Sequence, residues 1–275
     1  MTERLKLRPK LGQHFLVDAS YRRRIVAALD LRAEDLVVEI GPGRGAMTEL
    51  LAERAGRIVA IELDKALAEQ LRQKVEAGPR IEVLQADFLT VDLAGLCRRH
   101  GAERCFVFGN LPYYITSPII HHLFAFRDCI RAMALLVQLE VAERLAAVPG
   151  TRAYGYFSVL TQLLSYRRIV MGVPAGAFSP PPRVRSALVE FRMGEAAGAG
   201  LLVTQQEVDG FLQFVKRCFE QKRKSLLNNL AGLYSRRRLE LEFDRLSLAH
   251  SLRAEQLPLE DLVRLYRGIA GLTEF

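Results

Sequence analysis

An α/β fold with a small C-terminal helical domain is predicted by three observations. Short β-rich apolar runs alternate with amphipathic segments up to about residue 193. A glycine-rich loop, Gly41-Pro-Gly43-Arg-Gly45, stands where one such run gives way to a helical segment. Beyond the small-residue stretch Gly194–Gly200, only helical periodicity remains. Alternation of this kind is the mark of βαβ units on a parallel sheet.

The predicted strands are Leu36–Ile40, Arg57–Ile61, Ile81–Gln85, Phe106–Gly109, Met133–Leu139, Ile169–Val173 and Ala187–Arg192. Met47–Arg54, Lys65–Lys74 and Pro118–Phe126 carry helical spacing between them, and Tyr21–Leu29 reads as a helix leading into the sheet. Ser117-Pro118 offers a start signal, with serine as N-cap and proline at the first helical position. Gln206–Phe219, Lys222–Leu230 and Leu259–Ile269 are the helices of the C-terminal part. The expected division is a ligand-binding domain over 1–193, a linker over 194–200 and a helical domain over 201–275.

A chain of 275 residues accommodates one large domain and a small one. No apolar run approaches the roughly 20 residues of a membrane-spanning helix, and the N-terminus lacks the pattern of a signal or transit peptide, so a cytoplasmic protein is expected. Cys97, Cys105, Cys129 and Cys218 are too scattered for metal-ligand spacing, so no metal is expected and the thiols are read as free and mostly buried. The formal net charge of +8 points to a polyanionic partner. Arginine predominates and comes in short clusters, among them Arg22–Arg24, Arg183 with Arg185, Lys222-Arg223-Lys224 and Arg236–Arg238. Its planar fork suits bidentate phosphate contact.

Glu39-Ile-Gly41-Pro-Gly43-Arg-Gly45 lies where the carboxyl end of a strand meets a helix, the place at which parallel sheets bind ligands. Gly41, Gly43 and Ala46 also fit a dinucleotide fingerprint loosely, so the loop by itself leaves the ligand open. Glu62 ends the next predicted strand, where a carboxylate can accept both hydroxyls of a ribose. Asp87 ends the third, where it can accept from an adenine amino group. No hydride-transfer constellation accompanies them.

Acids at three successive strand ends resemble the S-adenosyl-L-methionine site of class I (Rossmann-like) methyltransferases. Asn110-Leu111-Pro112-Tyr113, after the fourth strand, resembles the catalytic tetrapeptide of the amino-group enzymes of that class. The chemistry explains these residue types. The lone pair of an exocyclic amine is delocalised into its ring, so acceptors must hold its N–H groups and favour a pyramidal nitrogen. Asn110 offers a side-chain oxygen, Leu111 a carbonyl, Pro112 a stiff turn and Tyr113 a ring for stacking on a flipped base. No strong base is needed when the methyl sits on a sulfonium, and alignment is the main contribution.

Gly12-Gln-His14-Phe-Leu16, Glu39–Gly45, Ile61-Glu-Leu-Asp64, Asn110–Ile115 and Phe178-Ser-Pro-Pro-Pro-Arg-Val-Arg-Ser186 occur in the order seen in the rRNA adenine N6,N6-dimethyltransferase family. The resemblance runs from about Lys10 to Ser225 and is strongest to the small-subunit, KsgA-type branch. It implies that His14, Leu16, Glu39, Gly41, Gly43, Glu62, Asp87 and Asn110 form the adenosylmethionine pocket, although many relatives carry asparagine where His14 stands. It implies too that Phe178 packs on the face of the base opposite Tyr113. Arg183, Arg185 and Lys222-Arg223-Lys224 would meet RNA. The implied reaction is dimethylation of two adjacent adenosines in the 3′-terminal hairpin loop of 16S rRNA, by a monomer acting on a pre-assembled 30S particle, with a role in subunit maturation. Two other readings stay open: the Erm branch, which modifies 23S rRNA, and a non-catalytic RNA-binding assembly factor.

Overall fold

The computed structural model describes residues 14–75, 80–195, 198, 200–202 and 204–271. Its strands, in chain order, are β1 (Phe15–Leu16), β2 (Leu36–Ile40), β3 (Arg57–Glu62), β4 (Ile81–Gln85), β5 (Cys105–Asn110), β6 (Ile130–Gln138), β7 (Ser165–Val173), β8 (Phe178–Ser179) and β9 (Ser186–Met193). The helices of the first part are α1 (Ala19–Ala28), α2 (Thr48–Ala52), α3 (Lys65–Val75), α4 (Leu93–Arg99), α5 (Thr116–Ala125), α6 (Leu139–Ala146) and α7 (Tyr156–Leu164). Then follow α8 (Gln205–Cys218), α9 (Leu226–Leu230), α10 (Arg236–Arg245) and α11 (Leu259–Ala270).

Seven strands form the main sheet in the order β4-β3-β2-β5-β6-β9-β7. Its parallel pairs run from β4 to β6, and β9 closes on β6 antiparallel, so the sheet is mixed rather than wholly parallel. β2 is buried at every position and β5 at every position but the last, as expected of central strands covered by helices on both faces. The parallel register is what positions the site. Ile40 pairs with Ile61 and Gly109, Glu62 with Gln85, and Asn110 with Leu136. Gly41, Glu62, Asp87 and Asn110 therefore stand on or just past the carboxyl ends of four adjacent strands.

Two compact units are distinguished. The first comprises 1–142 and 168–193, the second 143–167 and 194–275. One crossing lies at Gly194, and Glu143–Arg167 groups with the C-terminal helices. The reason is packing. Tyr154, Val159 and Leu163 are buried in one cluster with Phe211, Phe214, Leu230, Phe243 and Leu262. The first unit has its own core, in which Ile25, Leu51, Ile58, Leu71, Phe106 and Leu188 meet across the sheet and its helices.

Two local expectations are corrected. The helix expected from Pro118 begins at Thr116, and Ile115, not Ser117, is its N-cap. The Thr116 hydroxyl donates to the Pro112 carbonyl at 3.1 Å and ties the helix start to the preceding turn. Pro118 still falls in the first turn, where its missing N–H is not needed. In the second unit Lys222-Arg223-Lys224 precede a helix rather than belong to one. Ser225 caps α9, accepting from Asn228 N–H, and the three basic residues are exposed in the turn before it.

Candidate active site

The glycine loop turns because three of its residues adopt conformations that side chains resist. Gly41, Gly43 and Gly45 have φ of 62°, 57° and 74°. A Cβ on Gly41 would meet nothing within 4 Å, whereas one on Gly43 would stand 2.7 Å from Phe15 Cε1. Gly43 is thus closed by the ring of β1, and Gly41 opens onto free space. Arg44 lies over the other part of this cap, its guanidinium carbon 5.3 Å from the Phe15 ring centre.

Glu62, 2 % exposed, binds the loop from the end of β3. Its Oε2 accepts from Gly43 N–H and its Oε1 from Asp64 N–H, both at 3.0 Å. Each carboxylate oxygen has a further lone pair to offer. Burial raises its pKa above the ordinary 4.5, and those two backbone donors pull it back. Glu39 lies deeper in β2. Burial pushes its pKa up to about 7, the Thr48 side chain beside it pulls it back, and Glu62 adds to the rise. Asp87 is exposed past the end of β4 and caps the short turn Phe88–Thr90, accepting from Leu89 N–H at 2.9 Å.

Asn110 ends β5, and its Nδ2 donates to the His14 main-chain oxygen at 3.0 Å. A carbonyl can only accept, so this bond fixes which way the amide points and turns Oδ1 the other way. Leu111 N–H is held by the Leu136 carbonyl at 3.0 Å and its side chain is buried. The Pro112 carbonyl accepts from Ile115 N–H at 3.2 Å, closing a turn that carries Tyr113 and Tyr114. Tyr113 is half-buried, with its hydroxyl 3.2 Å from Ser186 Oγ and its ring centre 5.4 Å from that of His14.

β1 pairs antiparallel with β8, Leu16 opposite Phe178 and Phe15 opposite Ser179. Phe178 is brought to this edge. At 4 % exposure it lies in one apolar cluster with Leu16, Val173 and Ala177. Arg183 and Arg185 are exposed beyond it. Gly12 and Gln13 lie outside the described residues. Leu63, beside Glu62, is 49 % exposed, and Tyr114, in the turn, is 57 % exposed.

The family model described as ribosomal RNA adenine dimethylase matches residues 4–270. The chain belongs to this family. Among curated relatives, the "Ribosomal RNA small subunit methyltransferase A" of Acidobacterium capsulatum is 44 % identical over 96 % of this chain and 92 % of its own. That of Geobacter metallireducens is 38 % identical over 98 % of each. Among solved structures, the 23S rRNA methyltransferase ErmE is 29 % identical with a TM-score of 0.70, covering 93 % of this chain and 99 % of its own. A dimethyladenosine transferase from Plasmodium falciparum, at 23 % identity and a TM-score of 0.76 over 92 % of this chain and 96 % of its own, shares the fold.

Ribosomal RNA adenine dimethylases draw their methyl group from S-adenosylmethionine. The residues present fit that molecule. The open side of Gly41 and the spare lone pairs of Glu62 are the features that a ligand carrying hydroxyls requires.

Proposed function

We propose that this chain dimethylates N6 of two adjacent adenosines in the 3′-terminal hairpin loop of 16S rRNA. It acts as a cytoplasmic monomer on a pre-assembled 30S particle and takes part in its maturation. The observation that carries the reading is the orientation of Asn110. With Nδ2 committed to His14, Oδ1 is the group left to accept from a target amine, at the same sheet edge as Glu62.

Adenosylmethionine, when bound, supplies a methyl group made electrophilic by its sulfonium. Glu62 accepts from the ribose hydroxyls, Asp87 from the adenine amino group, and Gly41 and Gly43 let the backbone come close. Glu39 lies behind them as a buried acid that positive charge favours in its ionised form. Leu16 and His14 complete the pocket from β1.

On the substrate side, Asn110 Oδ1 and the Leu111 carbonyl hold the two N–H groups and align the nitrogen with the methyl carbon. Tyr113 offers its ring to the base, and Pro112 keeps the turn that presents it. Phe178 packs on the face of the base opposite Tyr113. After transfer the proton leaves to water, and a monomethylated amine keeps one N–H for the same acceptors. Arg183 and Arg185 in one unit, and Lys222, Arg223 and Lys224 in the other, meet RNA phosphates.

The small-subunit target is favoured by relatives of 38–44 % identity whose names specify it, against 29 % for the 23S enzyme. The test is complementation of a strain lacking the enzyme. The wild-type gene should restore N6,N6-dimethyladenosine to 16S rRNA and an Asn110→Ala gene should not. Restoration by both, or by neither, contradicts the reading.

A further inference from the structure

Three contacts converge on His14, and each ties it to another part of the chain. Its Nδ1 lies 2.7 Å from the Pro180 carbonyl oxygen. Since that oxygen only accepts, Nδ1 carries the proton and donates. The ring faces Tyr113 at 5.4 Å between centres, with the planes inclined by 34°. The residue's own carbonyl receives the Asn110 amide. One residue thereby joins the strand end that carries Asn110, the turn that carries Tyr113 and the loop that follows Phe178.

Within that loop Pro182 is buried, and at its end the Arg185 carbonyl accepts from Leu139 N–H at 3.0 Å. Pro180, Pro181, Arg183, Val184 and Arg185 are exposed. The stretch is fixed at its start by the pairing of β1 with β8 and at its end by β9. Among the described residues, the bond from His14 is the one side-chain hydrogen bond that reaches Pro180–Arg185.

We propose that His14 is a positioning residue for the target amine. Its ring, clamped to Pro180, holds the Tyr113 face and the Pro180–Arg185 loop in register with Asn110. This inference depends on the methyl-transfer reading given above.

The test compares wild type, His14→Ala, His14→Phe and His14→Asn. Asparagine keeps an N–H donor on the atom next to Cγ, where Nδ1 stands, and phenylalanine keeps a ring without the donor. For each variant, kcat is measured at saturating adenosylmethionine on small subunits lacking the modification, and adenosylmethionine Kd on the enzyme alone. At saturating adenosylmethionine, His14→Ala and His14→Phe should lose about tenfold or more in kcat, beyond any change in Kd. His14→Asn should recover most of the rate. Wild-type transfer with undiminished His14→Ala overturns the inference, as does a loss confined to Kd, or an asparagine variant no better than alanine in spite of an unchanged melting temperature. A wild-type enzyme that binds adenosylmethionine but transfers nothing to these subunits overturns the substrate reading, and this inference with it.

Discussion

Asn110 donates its side-chain amide to the His14 carbonyl at 3.0 Å across 96 residues of sequence, and the acceptor oxygen faces away as a result. Removing the amide removes both functions. Asn110→Ala should lower kcat by about 100-fold or more, as loss of a group aimed at the reacting centre does. Asn110→Asp keeps an oxygen for the amine but sets a second acceptor against the His14 carbonyl. It should fall between, losing about tenfold. Steady-state kinetics on small subunits checks both, and an aspartate variant as active as wild type would show that amide orientation is unimportant.

Glu39 gives a pH dependence with a definite sign. Its pKa in the folded protein is about 7 against an ordinary 4.5, raised chiefly by burial. The folded state therefore holds a proton that the unfolded chain has already released. The resulting penalty on stability is absent below about pH 4.5, grows up to about pH 7 and is complete above it. Glu39→Gln should be more stable than wild type at pH 8, by at most ~3 kcal/mol, and should lose that advantage near pH 4.5. Adenosylmethionine affinity should move the other way, strengthening as wild type passes from pH 6 to pH 8 on the order of tenfold. Denaturant melts and calorimetry across this range check the pair, and flat affinity would separate Glu39 from the cofactor.

The two loop glycines should fail differently. Both have positive φ, so alanine at either costs ~1–2 kcal/mol of backbone strain. Gly43→Ala adds a clash with Phe15 at 2.7 Å, and Gly41→Ala adds none. Gly43→Ala should therefore show the larger fall in melting temperature. Gly41→Ala fills the open side of the loop and should weaken adenosylmethionine binding by about tenfold or more with the smaller loss of stability. Equal affinity in Gly41→Ala would place the cofactor elsewhere.

Arg183 and Arg185 are exposed beside the Phe178 wall. If each meets one phosphate, the double alanine variant should weaken RNA binding and flatten its salt dependence, lowering the slope of log K against log salt by about 1.4–1.8. Adenosylmethionine affinity should be untouched. An unchanged slope would make the pair an ordinary solvated face.

Much of the sheet was legible because its strands are short apolar runs whose ends carry chemistry. Leu36–Ile40 and Ile81–Gln85 were read at their true bounds, and Glu62 and Asp87 stand at the carboxyl ends, where a parallel sheet puts its ligands. Four helices were not read. In α4, α6, α7 and α10 the local pattern is short, as in Leu93–Arg99, or crowded with arginine, as in Arg236–Arg245. Their stability comes from residues such as Leu93 and Phe243 buried against distant segments. The same limit hid the assignment of Glu143–Arg167 to the helical unit, since no composition shift accompanies a packing choice. At the site, sequence indicated Asn110 and His14 separately. Only the fold shows that one holds the other.

The most direct test of the account is transfer of labelled methyl from adenosylmethionine to purified small and large subunits from a strain lacking this enzyme, with nucleoside analysis of each RNA. The account predicts N6,N6-dimethyladenosine in 16S rRNA at two adjacent positions and none in 23S rRNA. Label in 23S rRNA alone would contradict the substrate, and no label in either, with competent subunits, would contradict the chemistry.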